Sequence, residues 1–112
     1  MSAVRTLIDL LAGRRDADGL APRDWDGVIG AARAEALLAT LAHRLADAAL
    51  PPPVAALLAD QRAAAAVARA QALWEAEMTR RALAPEGIAF VLLKGTAYAA
   101  AGLSCAEGRQ IG

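Results

Sequence analysis

Val4, Leu7, Ile8 and Leu11 recur at the i, i+3, i+4, i+7 spacing of one helix face, which predicts a first amphipathic helix with that set on its buried side. Ser2 stands where an N-cap belongs and Gly13 where the helix should stop. The period lapses over residues 14–22, which carry Gly19 and Pro22 and read as a loop, and a short helix over about 23–29 is expected next. Ala34, Leu37, Leu38, Leu41, Leu45 and Ala49 then form one continuous apolar stripe, with Arg33, Thr40, Arg44 and Asp47 on the opposite side, the clearest helix pattern in the chain. Pro51, Pro52 and Pro53 close that element and open the next, because proline cannot continue a helix but suits its first turn.

From Val54 to Leu83 there is neither Gly nor Pro, so one long helix is expected, supported by Glu77 three and four residues before Arg80 and Arg81. Alanine occupies nearly every side of it, and Leu57, Leu58, Val67, Leu73, Trp74 and Met78 are its larger contacts, a distribution that allows packing on two sides. Pro85-Glu86-Gly87 marks a turn, and Ile88 to Leu93 is a compact apolar run of strand length. Lys94-Gly95 follows, then a short helical stretch from Thr96 to Ala101 with Gly102 as its stop. A lone strand has no partner for its backbone N–H and C=O groups within this pattern, so its sheet must come from a further part of the polypeptide or from self-association. No internal repeat is present.

Composition sharpens this picture. The apolar fraction is 57%, but 32 of the 112 residues are alanine, so the core is expected to be thin, each alanine burying far less area than a leucine. Twelve basic and twelve acidic residues cancel without forming a block of one sign, which excludes a broad nucleic-acid-binding surface. No apolar stretch reaches the about 20 residues that a membrane helix needs, since Asp60, Arg62 and Arg69 interrupt one candidate and Lys94 the other. A single cysteine, Cys105, and no leader peptide fit a cytoplasmic protein. Arginine supplies eleven of the twelve basic residues, which with the alanine excess points to a GC-rich bacterial genome and makes the lone Lys94 conspicuous.

A strand that delivers Lys94-Gly95-Thr96 into a helix start makes a small anion site: glycine admits a phosphate to the backbone, free N–H groups point at it, and lysine adds charge. Thr96 can cap the helix or contact the ligand. The order differs from a Walker loop and from a dinucleotide fingerprint. On spacing alone, a glycine turn with a surface lysine explains the same residues.

Gly87-Ile88-Ala89-Phe90-Val91-Leu92-Leu93-Lys94-Gly95-Thr96-Ala97-Tyr98, followed by Leu103 and Gly108-Arg109-Gln110-Ile111-Gly112, resembles the signature of a bacterial family of uncharacterised nucleotidyltransferases in the polymerase β superfamily. The likeness covers about residues 20–112 in organisation, with motif residues confined to 87–112. It implies a mainly α fold: a helical N-terminal region, 1–84, then the first strand and short helix of an incomplete α/β nucleotidyltransferase domain, 85–112. It also implies transfer of a nucleoside monophosphate from an NTP to an unknown acceptor, with Mg2+ held by carboxylates. Lys94, Gly95, Thr96 and Arg109 fall on the nucleotide- and phosphate-binding positions of that pattern. In the family an Asp-x-Asp strand follows this pattern, and its first metal-binding aspartate would come directly after Gly112, where the sequence stops. The expectation is therefore an inactive N-terminal fragment with no catalytic or metal-binding residue of its own. The alternative is a non-enzymatic helical protein-interaction module.

Other polar groups read as structural. Asp16 and Asp18 lie in a loop, Asp24 and Asp26 at a helix start, where spacing by two does not align carboxylates as it would in a strand. His43 reads as a surface histidine, Trp74 and Met78 as packing, and Arg14-Arg15 and Arg80-Arg81 as solvated helix ends.

Overall fold

The computed structural model describes residues 2–89, 91 and 94–102. They form five α-helices: α1 (Ala3–Leu11), α2 (Pro22–Ala34), α3 (Leu38–Arg44), α4 (Pro52–Leu83) and α5 (Lys94–Ala100), with a single 3-10 turn at Ala84–Glu86. The fold is mainly α. Within the expected strand, Ile88, Ala89 and Val91 are in neither helix nor strand, and Phe90, Leu92 and Leu93 lie outside the described residues.

The core is built by α1, α2 and α3 and closed by the first two turns of α4. Leu7, Leu10, Leu20, Trp25, Val28, Leu38, Leu41 and Leu45 meet Val54 and Leu58 there, with Ala17, Ala32 and Ala42 between them. Beyond Leu58 no residue of α4 joins this cluster, and the helix projects from it, giving principal dimensions of 58 × 23 × 21 Å. Arg62 ties the projecting helix back: its Nη1 donates to the Ala42 carbonyl at 2.9 Å, one of the last-turn carbonyls of α3. A cation there also meets the negative end of that helix's dipole.

Two expectations are corrected. The buried side of α1 is Thr6, Leu7 and Leu10, with Leu11 partly covered, while Val4 and Ile8 remain 52% and 47% exposed. The helix is rolled toward α2, where Ala3 approaches so closely that a Cβ on Gly27 would stand 3.0 Å from its own. Thr6 tolerates burial because its hydroxyl donates to the Ser2 carbonyl at 3.2 Å. Ser2 occupies the N-cap position, although its side chain makes no capping hydrogen bond.

The second correction concerns the leucine stripe from Ala34 to Ala49. It spans two helices, α2 running on to Ala34 and α3 beginning at Leu38. Between them Ala36 takes φ 56°, the left-handed region, and the chain turns back on itself. The Ala36 N–H donates to the Arg33 carbonyl at 3.2 Å and the Leu37 N–H to the Ala32 carbonyl at 2.7 Å. These bonds satisfy the open carbonyls of the helix end and stop it. Leu38, Leu41 and Leu45 are buried on the core side and Leu37 partly so, whereas Ala34 and Ala49 are exposed. At the start of α2, Asp24 accepts the Ala21 N–H at 3.1 Å, which fixes this carboxylate to the helix entry.

Candidate functional site

The segment that carries the lysine-glycine motif is positioned by the end of α4. The turn at Ala84–Glu86 leads to Gly87 at φ 69°, whose N–H returns to the Ala84 carbonyl at 3.1 Å, while the Ile88 N–H returns to Leu83 at 3.3 Å. Glycine is favoured here because the left-handed conformation crowds a Cβ. The chain then emerges with Ile88 53% and Val91 75% exposed.

α5 begins at Lys94, two residues earlier than the composition predicts, and Lys94, Gly95 and Thr96 form its first turn. Their backbone N–H groups belong to the set that a helix start leaves without intrahelical partners. Thr96 and Ala97 are half-buried and Ala99 is buried to 9% exposure, on the side where α5 lies along α4. Gly102, at φ 70°, stops the helix as expected. The structure thus brings three of the four expected site residues together in one turn. Arg109 and Cys105 lie outside the described residues.

A cleft of about 180 Å³ lies elsewhere, between α1 and the start of α2, lined by Ala3, Thr6, Arg15, Leu20, Arg23, Asp24 and Gly27. It shares no residue with the Lys94 turn. Periodicity gave no sign of it, because it arises where small residues at Ala3 and Gly27 let two helices approach, a property of the pair rather than of either helix.

The remaining polar candidates have structural partners. His43 is half-buried rather than on the open surface, and its Nδ1 donates to the Ala39 carbonyl at 2.8 Å. Asp9 pairs with Arg14 at 3.1 Å. Glu77 accepts from Arg80 Nη2 at 2.7 Å and Nε at 2.9 Å and from Arg81 Nε at 3.1 Å, and these bonds hold its carboxyl well below the usual value of 4.5, at about 2. Trp74 contradicts the packing reading: it is 58% exposed. Among the described residues no three His, Cys, Asp or Glu side chains converge as a metal site would need, and no helix is long and apolar enough to cross a membrane.

Residues 21–112 match the family described as uncharacterised nucleotidyltransferase. The chain belongs to that family. The matched span starts at the entry to α2 and includes the whole Lys94 turn, while α1 and its side of the cleft precede it. For this nucleotidyltransferase family member no curated protein and no solved structure matches.

Proposed function

We propose that this chain supplies the nucleotide-binding start of a nucleotidyltransferase that moves a nucleoside monophosphate from an NTP to an acceptor. The observation that carries the reading is the placement of Lys94, Gly95 and Thr96 in the first turn of α5, inside the span that matches the family. In this reading residues 1–84 are a helical platform and residues 85–112 open the catalytic domain. Lys94 and Arg109 neutralise the triphosphate, Gly95 admits it to the backbone, and Thr96 contributes a hydroxyl.

A divalent metal such as Mg2+ would activate the acceptor and neutralise the leaving pyrophosphate. The described residues do not fit it, since no group of ligating side chains is gathered among them. On this reading the 112-residue chain alone is expected to bind nucleotide without releasing pyrophosphate.

Titration calorimetry with ATP and with GTP tests the binding half. Lys94→Ala should weaken triphosphate binding about tenfold, the scale of losing one charge-assisted contact. Unchanged affinity for both nucleotides removes Lys94 from the site. Pyrophosphate release by the 112-residue chain in Mg2+ would overturn the expectation of inactivity.

A further inference from the structure

Burial along α4 is deepest on one side. Val54 and Leu58 are buried, and Gln61, Arg62, Ala65, Arg69, Ala72, Ala76 and Leu83 continue that side half-buried, facing α3 and then α5. At 100° per residue, Val67 and Trp74 lie diametrically opposite, 70% and 58% exposed. Their neighbours on that outer face are Asp60, Ala63, Ala64, Ala70, Gln71 and Arg81, all exposed, together with half-buried Met78. Two exposed residues seven apart, with small residues between, form a seam of the coiled-coil type, in which alanine permits close approach of a second helix.

The charges along this seam select its occupant. Asp60 stands at one end with no hydrogen bond or ion pair among the described residues, and Arg81 stands at the other, 66% exposed and bonded to Glu77 through Nε alone. Turning a second α4 antiparallel about the point between Ala70 and Gln71 places Asp60 opposite Arg81 and Arg81 opposite Asp60. The same operation sets Trp74 against Val67 at two places, large against small, and Ala63 against Met78. It brings no two like charges face to face. We propose that the outer face of α4 is the contact between two copies of this chain, paired antiparallel in that register with two-fold symmetry.

Sedimentation equilibrium of the full chain, from about 1 to about 500 µM, should show a reversible monomer–dimer equilibrium. Asp60→Arg places like charges at both ends of the seam and should raise the dissociation constant about tenfold. Arg81→Asp should do the same, and the double variant should return it to within about threefold of the parent. Disulfide trapping fixes the direction: in a Cys105→Ser background, Ala70→Cys near the two-fold axis should cross-link rapidly and Ala63→Cys should not. A monomer at every concentration overturns the proposal, which would leave the seam to another partner. A dimer indifferent to both charge reversals, or one trapped equally by Ala63→Cys, overturns it as well. Circular dichroism confirms folding of each variant, as both reversed positions are exposed.

Discussion

Ala36→Gly should stabilise the protein, an unusual direction for replacing a side chain by none. Four described helix ends pass through the left-handed region, at Gly13, Ala36, Gly87 and Gly102, with φ of 74°, 56°, 69° and 70°. At Gly13, as at Gly87, the N–H returns to the carbonyl three residues back and the following N–H to the carbonyl five back, the same bonds that Ala36 and Leu37 make. Only Ala36 holds a Cβ in this conformation, at a cost of about 1–2 kcal/mol for an L-residue. Glycine removes that cost and gives back about 0.5–1 kcal/mol through its freer unfolded chain. The net gain is about 0.5–1 kcal/mol, or a rise in Tm of roughly 2–8 °C for a domain of this size. Urea unfolding followed by circular dichroism at equal chain concentration measures it. Ala34→Gly is the control: it is equally exposed, two residues earlier and helical, and should lose about 0.5–1 kcal/mol. Two substitutions of the same chemistry then have opposite signs. If both destabilise alike, the left-handed stop at Ala36 is not what ends α2.

Two further outcomes follow from named contacts. Arg62→Met keeps the apolar stem but removes the 2.9 Å bond to the Ala42 carbonyl, and should cost about 1–2 kcal/mol in urea unfolding, with Arg62→Ala losing more through lost packing. Because the folded pKa of Glu77 lies below its ordinary value, its ion pairs stabilise fully above about pH 4.5 and their contribution is lost as pH falls toward 2. The difference in Tm between the parent and Glu77→Gln should therefore be largest near neutrality and close between pH 4.5 and 2, and a difference independent of pH would remove Glu77 from this role.

The long helix was legible to within two residues, since Pro52 and Pro53 suit a first turn and nothing from Val54 to Leu83 interrupts one. Its unequal sides were not legible, because alanine marks neither a buried nor an exposed position. The break between α2 and α3 was hidden for a related reason. A helix stop is readable when glycine takes the left-handed residue, as at Gly13 and Gly102, but Ala36 has the composition of a helix interior. The stripe of Leu37, Leu38, Leu41 and Leu45 therefore runs across the break without a visible seam. In α1 the period was right and the face was wrong by a fraction of a turn, because a two-helix contact is chosen by the small residues that allow approach, Ala3 and Gly27, as much as by the large ones. The lysine-glycine motif was legible as a helix start, which lies at Lys94 and not at Thr96.

The alanine excess now separates into two jobs. In the core Ala17, Ala32 and Ala42 fill the narrow space between helices, whereas the larger alanine population of α4 lies mostly outside the core and acts through helix propensity. From Leu58 to Leu83 that helix runs for about 38 Å at 1.5 Å per residue, beyond the core cluster and supported locally by the Glu77 pairs. The Lys94 turn is attached to it through α5, and among the described residues none of α5 belongs to the core cluster. Substitutions at Lys94 should then leave the cooperative unfolding of the core unchanged, so a loss of nucleotide binding there reports on the site and not on the fold. Substitutions at Trp25 or Leu41, both buried at the opposite end, should do the reverse. Stability and the proposed nucleotide site then reside in different stretches of one chain, joined by an alanine-rich helix.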